Sequence, residues 1–129
     1  MQIFDNDFIE VMLKQAICSE RLRINYLLHK TPDEKCQRMI NVLIPGTKIP
    51  IQVHNIDETL ILIRGEIIVK LYTSELSIKN ILKISQCDNS FGIIIPAGQI
   101  HDVEVLEPSV IFEVKEGPFH PSNTRTFNL

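Results

Sequence analysis

The sequence predicts an all-β fold, a sandwich or small barrel, behind one N-terminal helix. After residue 21 apolar residues recur at every second position, the period of a strand whose two faces meet different surroundings. Turn signals recur at short intervals, at Pro45-Gly46, Gly65, Asp88-Asn89, Pro96-Ala97-Gly98 and Glu107-Pro108. Between them Ile and Val dominate, side chains whose branching at Cβ suits a pleated sheet. At 129 residues, with 44% apolar and 22% charged residues, the chain is long enough for one ordinary core, and its balance excludes disordered and fibrous classes. No repeat, linker or low-complexity segment divides it, so residues 1–129 are read as one domain.

Residues Asp5 to about Glu20 form the helix: Asp5 or Asn6 can cap it, and Phe8, Val11, Met12, Gln15 and Ile17 follow a spacing near 3.6. From Leu22 the period is two. Leu22, Ile24, Tyr26 and Leu28 take one face of a half-buried strand, and Arg21, Arg23, Asn25 and His29 take the other, which is most simply the solvated side of an edge strand. A turn at Thr31-Pro32-Asp33-Glu34 follows. Further strands are expected over Gln37–Ile44, Lys48–His54, Thr59–Arg64, Glu66–Thr73, Leu76–Ser85, Phe91–Ile95, His101–Leu106 and Ser109–Lys115. In the last of these, Glu113 and Lys115 share a face and form an ion pair, while Val110, Phe112 and Val114 face the other way. The barrel therefore spans about residues 21–116, and the tail beginning Gly117-Pro118-Phe119-His120-Pro121-Ser122-Asn123 is expected to run as irregular chain with His120 exposed.

Charge and cysteine content narrow the function classes. The net charge is −3, and no run of Lys and Arg with interleaved aromatics offers a nucleic-acid groove. The longest apolar runs, such as Leu60-Ile61-Leu62-Ile63, fall far short of the roughly 20 residues of a membrane span, and Asp5, Asp7 and Glu10 stand where a signal peptide would be basic. A cytoplasmic protein is expected. Cys18, Cys36 and Cys87 form no C-x-x-C pair and suggest neither a disulfide framework nor a zinc site; they are read as packing residues.

The chemistry concentrates in two places. Gln52 and His54, two apart in a strand, leave the same face of a sheet, and Glu58 follows after a gap short enough for a tight turn. His101 comes just after Ile93-Ile94-Ile95-Pro96-Ala97-Gly98, where a buried strand ends in a turn that can aim the next strand inward. Two neutral imidazoles and a carboxylate are the donor set of a facial triad, which leaves positions on a divalent metal open to water or substrate.

In these segments the sequence resembles the cupins. Gly46, Gln52-x-His54, Glu58 and Gly65 reproduce the first cupin motif with its spacing intact and glutamine in place of the first histidine, and Pro96-x-Gly98-x-x-His101 reproduces much of the second, with Ser90 in place of its leading glycine. The resemblance narrows to the small WbuC-type cupin-fold metalloproteins through Glu20-Arg21-Leu22-Arg23-Ile24-Asn25, Leu28-His29, Gln37-Arg38-Met39-Ile40-Asn41, Pro45-Gly46-Thr47, Leu62-Ile63-Arg64-Gly65, Ile95-Pro96-Ala97-Gly98-Gln99-Ile100-His101 and Phe112-Glu113-Val114-Lys115-Glu116-Gly117-Pro118-Phe119. The usual Pro-His-x-His is Ile51-Gln52-Val53-His54 here.

This resemblance implies a cupin jelly-roll β-barrel holding a divalent ion (Mn, Fe, Zn or Ni) on His54, Glu58 and His101, with Gln52 a weak fourth donor. A glutamine amide oxygen is a weaker, neutral donor than imidazole, which shifts preference toward harder ions such as Mn²⁺ or Fe²⁺. It further implies that Arg23, Asn25 and His29 reach a small polar ligand, a sugar or sugar nucleotide of surface-polysaccharide (O-antigen-like) biosynthesis, an arginine being suited to carboxylate or phosphate. Lys115 and His29 are the candidates for proton transfer. Whether the chain is an enzyme stays open beside a second reading, a non-catalytic ligand-binding or regulatory cupin whose glutamine marks a degenerate metal site. A homodimer is expected, since Leu60–Ile63 and Ile93–Ile95 carry more two-faced apolar surface than one small barrel needs.

Overall fold

The computed structural model describes residues 1–128. One helix, α1 (Asn6–Cys18), precedes ten strands: β1 (Arg23–Leu27), β2 (Cys36–Leu43), β3 (Ile51–His54), β4 (Glu58–Arg64), β5 (Glu66–Tyr72), β6 (Ile78–Ser85), β7 (Gly92–Ile95), β8 (Ile100–Val105), β9 (Ser109–Glu116) and β10 (Thr124–Phe127). They form two antiparallel five-stranded sheets, ordered β1-β2-β9-β4-β7 and β10-β3-β8-β5-β6. From β3 onward the chain passes repeatedly between the sheets, and the two close into a jelly-roll barrel of the cupin type. No helix among the described residues is long and apolar enough to cross a membrane.

Period-two alternation explains why each sheet has an inner and an outer face. The lumen is filled by Leu43, Leu60, Leu62, Ile67, Val69, Ile84, Ile95, Val105 and Ile111. On the first sheet the residues between these positions point outward, and there α1 lies over Ile40, Val42 and Val110 with its own Met12 and Ala16. Asp5 caps the helix by accepting from the Phe8 amide at 2.9 Å.

The helix buries Phe8 and Met12, as its spacing predicts, but the rest of its buried stripe differs. Phe8, Ile9, Met12, Leu13 and Ala16 face the sheet, whereas Val11 and Ile17 are 55% and 57% exposed and Gln15 is also exposed. Ala16, fully buried, lies in that stripe with Met12 against Ile40, Val42 and Val110, and the four-residue spacing from Phe8 to Met12 to Ala16 places it on their face. Cys18, Cys36 and Cys87 are all exposed, which corrects their reading as packing residues: they sit at the helix end, the start of β2 and a turn, where the chain leaves the core.

The tail also differs from the expected irregular chain. After a single 3-10 turn at Pro121–Asn123, β10 adds to the free edge of β3, pairing Thr124 with His54 and Thr126 with Gln52. Phe119 donates its amide to the Pro32 carbonyl, and Gly117 donates to that of Lys35, so the segment is laced across the β1–β2 connection before it reaches β3. Covering an open strand edge outweighs the breaker composition before it.

Gly65 carries the chain from β4 in one sheet to β5 in the other at φ +96°, and a Cβ there would strike Ser109 and the Pro108 carbonyl. Only glycine fits that crossing.

Candidate metal centre

His54 ends β3, Glu58 opens β4 and His101 is the second residue of β8, so the connection from one sheet to the other sets a carboxylate against two imidazoles. The loops that deliver them are tied together. Asp57 accepts from the Ala97 amide at 2.8 Å, and Gly98, at φ +83°, donates its amide to the His54 carbonyl at 2.8 Å. The turn before His101 is thereby fixed to the turn between His54 and Glu58.

All three side chains are buried, and one ligand atom from each lies within 4.8 Å of the others. Among the described residues this is the one such group of potential metal-binding side chains. The His54 Nε2 is 3.0 Å from Glu58 Oε2 and the His101 Nε2 is 3.6 Å from Glu58 Oε1. The second contact is longer than a hydrogen bond, and both Nε2 atoms are left buried without a hydrogen-bond partner. Their other nitrogens are held: His54 Nδ1 lies 2.7 Å from Thr124 Oγ1, and His101 Nδ1 lies 2.9 Å from the Gln99 carbonyl. A carbonyl only accepts, so His101 must carry its proton on Nδ1, and its Nε2 then presents either a second proton or a lone pair toward the carboxylate.

Something positive must therefore stand between these nitrogens and Glu58. Without a metal that role falls to protons. Burial by itself would raise the Glu58 carboxyl, but His101, His54 and Lys115 together hold it down to about 2. Burial likewise opposes a charged His101, yet the Glu58 carboxylate and the Gln99 carbonyl raise it above its ordinary value. Two buried, oriented imidazoles with free Nε2 atoms facing a carboxylate equally fit a divalent cation.

The surroundings continue the polar end of the lumen. Gln52 pairs with His101 across the β3–β8 ladder, so the two side chains share a face, and Gln52 lines the same cavity, of about 370 Å³, as His54 and Glu58. Lys115 stands directly opposite Glu58 on β9, with Nζ at 4.0 Å from Glu58 Oε2 and 3.1 Å from Glu113 Oε2, the ion pair the sequence leads one to expect. Asn41 donates to Glu113 at 3.0 Å. Burial and the nearby Glu58 charge push the Glu113 carboxyl up, against the pull of Lys115.

Of the other residues singled out in the sequence, Arg23 and Asn25 line this cavity, so their face of β1 belongs to the lumen wall; the opposite face, with Ile24 and Tyr26, is the one under α1. His29 is buried, its Nδ1 at 3.0–3.1 Å from the backbone carbonyl and amide of Arg38, and it lines an adjoining cavity of about 360 Å³. His120 is exposed at the rim of that second cavity. Thr124 escapes the sequence reading because the breaker composition of Gly117–Asn123 predicts no regular structure beyond residue 116; the alternation of Thr124 and Thr126 is the signal that reveals it.

The comparisons with known proteins agree on fold. Oxalate decarboxylase from Bacillus subtilis superposes with a TM-score of 0.61 at 20% identity over 81% of this chain and 27% of its own. A cupin superfamily protein from Desulfitobacterium hafniense gives 0.58 at 12% identity over 73% of this chain and 76% of its own. The capsular polysaccharide assembling protein CapF from Staphylococcus aureus gives 0.60 at 20% identity over 81% and 30%. This chain thus spans less than a third of the first and third of these proteins. No protein of curated function matches the sequence. A family model matches residues 4–84, well over half the chain. With a cupin barrel built around two imidazoles and a carboxylate, the chain belongs to the family described as a domain of unknown function, DUF6016.

Proposed function

We propose that the protein is a metal-binding cupin whose lumen takes a small polar molecule, with His54, Glu58 and His101 holding a divalent ion and Gln52 a weak fourth donor. The observation that carries this reading is the pair of buried Nε2 atoms without hydrogen-bond partners, each on a ring oriented through its Nδ1 and each facing Glu58. A divalent ion bound there would polarise a carbonyl or hydroxyl of the ligand, or activate water. The chain's own residues would position that ligand. Arg23 and Asn25 stand on the wall of the cavity, and Lys115, beside Glu58, is placed to hold or deliver a proton at Nζ.

The likeness to CapF, a capsular polysaccharide assembling protein, and the WbuC-type sequence stretches support a sugar or sugar nucleotide of surface-polysaccharide synthesis in the cytoplasm as the ligand. A homodimer is part of the same reading, because Ile63 and Ile94 on the outer face of β4 and β7 are 42% and 63% exposed. A molar mass measured at high protein concentration tests the pairing, a monomer counting against it.

The metal reading is tested by calorimetric titration of Mn²⁺ and Zn²⁺ into the wild type, His101→Ala and Gln52→His. One ion per chain is expected in the wild type and none in His101→Ala, both proteins remaining folded. Gln52→His should bind Zn²⁺ more tightly, by about tenfold or more, because imidazole replaces an amide oxygen. Equal binding by the wild type and His101→Ala would sink the proposed site. Binding by Gln52→His alone would favour the second reading, a non-catalytic binding or regulatory cupin, for which the glutamine in the donor set is the specific observation.

A further inference from the structure

Two chambers meet at the metal centre. The cavity of about 370 Å³ and its neighbour of about 360 Å³ have Asn25, His54, Lys115 and Thr124 in common, so both open onto the same edge of the cluster. Their far walls differ in chemistry. The first carries Arg21 and Arg23, while the second has Leu27, Pro32, Met39, Ile56 and Phe119 as its apolar surface beside polar side chains that include Gln37 and Glu116.

The charges in the first chamber do not balance. Its acids are Glu58 and Glu113, and both are engaged by Lys115, at 4.0 and 3.1 Å, with Glu58 also facing the two imidazoles. Among the described residues no carboxylate lies within ion-pair distance of Arg21 or Arg23. Arg23 is half-buried, and its one hydrogen bond, from a guanidinium nitrogen to the Lys48 carbonyl at 3.1 Å, leaves the remaining donors of the fork free. Burial and the neighbouring Arg21 both act against its charge, so the pair stands in a site that an anion would relieve. The second chamber shows a complementary excess. Leu27 and Phe119 are each 55% exposed at its rim, apolar surface left in water unless something covers it.

From this juxtaposition we infer that the ligand is an oxyanion with an apolar or aromatic body, its carboxylate or phosphate paired with Arg21 and Arg23 and its body lying past His54 against Leu27, Met39 and Phe119. The inference rests on the small-molecule reading above and narrows it. A neutral sugar would leave the charge of the arginines and the exposed apolar rim unmatched, whereas a sugar acid or phosphorylated ligand carrying a ring would meet both. Planar two-pronged recognition of an oxyanion is what the guanidinium supplies and an ammonium does not.

Calorimetric titration with four probes tests it: phenyl phosphate and benzoate carry head and body, inorganic phosphate carries the head alone, and benzyl alcohol the body alone. Each is added to the full chain with and without Mn²⁺. At least one ring-bearing oxyanion should bind about tenfold or more tightly than inorganic phosphate and benzyl alcohol, and whether it is phenyl phosphate or benzoate distinguishes a phosphate from a carboxylate ligand. The double variant Arg21→Gln, Arg23→Gln keeps a donor for the Lys48 carbonyl and should lose that binding by about tenfold or more, as loss of charge-assisted hydrogen bonds implies. Phe119→Ser, at an exposed position, should weaken the ring-bearing probe several-fold and leave inorganic phosphate unchanged. Benzyl alcohol binding as tightly as the oxyanions, an arginine variant with unaltered affinity, or no saturable binding of either ring-bearing oxyanion at millimolar concentration overturns the inference. Titration of Mn²⁺ alone scores the metal reading separately: arginine-dependent binding that persists where no ion binds upholds this inference and sinks that reading, and an ion bound beside arginines of no effect does the reverse.

Discussion

Along β4, β8 and β9 the inward side chains change chemistry from one end of the barrel to the other. Leu62, Val105 and Ile111 fill one end; Glu58, His101 and the Glu113–Lys115 pair fill the other, on the same strands and with the same alternation. The apolar end removes hydrocarbon from water, which stabilises the fold at roughly 25 cal/mol per Å². The polar end removes little hydrocarbon from water, and the attraction that holds Glu58 down and His101 up must first offset the hydration these groups lose. Its acids and imidazoles are thus poorly explained as scaffold. One end of the lumen holds the barrel together so that the other can keep charged groups aimed at a common point.

Three changes test this division of labour. The largest effect on stability is expected at the apolar end: Ile67→Ala removes a side chain that is 1% exposed and should cost about 2–5 kcal/mol, read by urea denaturation. A loss well under 1 kcal/mol would show that the apolar end does not carry the fold.

The second change is pH, applied to metal-free protein. Glu58 is lowered from 4.5 to about 2 on folding, so its contribution is present above pH 4.5 and disappears as pH falls toward 2. His101 is raised above 6.5, so its contribution is complete below pH 6.5 and disappears as pH rises through the elevated value. Metal-free protein should therefore be most stable between these limits. An added ion should move the optimum upward, since it competes with the proton for His101 Nε2. Thermal melts across the pH range, with and without Mn²⁺, read both effects, and an optimum that metal leaves unmoved would contradict the shared site.

The smallest of the three is Thr124→Val, which removes the hydroxyl that holds His54 Nδ1 at 2.7 Å while keeping the shape of the side chain. Metal affinity should fall by about 10- to 100-fold, as is usual when the partner that orients a ligating imidazole is lost. Stability should change little, and a large loss of stability with unaltered affinity would make Thr124 part of the scaffold rather than of the centre.

Some of this was legible in the residues alone. β1 and β8 are written as apolar–polar alternation and β4 and β7 as the short apolar runs Leu60-Ile61-Leu62-Ile63 and Ile93-Ile94-Ile95, and the spacing of Gln52, His54 and Glu58, like that of His101 after Pro96-Ala97-Gly98, is local, so each survives without knowledge of the fold. Other features depend on what each face meets. Alternation divides β1 into two faces, but nothing in it distinguishes solvent from a polar lumen, and Arg23 and Asn25 face the latter.

By itself, then, the sequence determined the strand period, the turns and two local groups of candidate donors, Gln52-x-His54 with Glu58 and Pro96-x-Gly98-x-x-His101, because each is a relation between residues close along the chain. Only the tertiary structure decided which stripe of α1 is buried, that β10 closes on β3 and brings Thr124 to His54, and that Lys115 stands across from Glu58. Those are relations between segments distant in sequence, set by which surface remains uncovered once the sheets have closed. Local periodicity names the faces of a strand, and packing alone assigns them their neighbours.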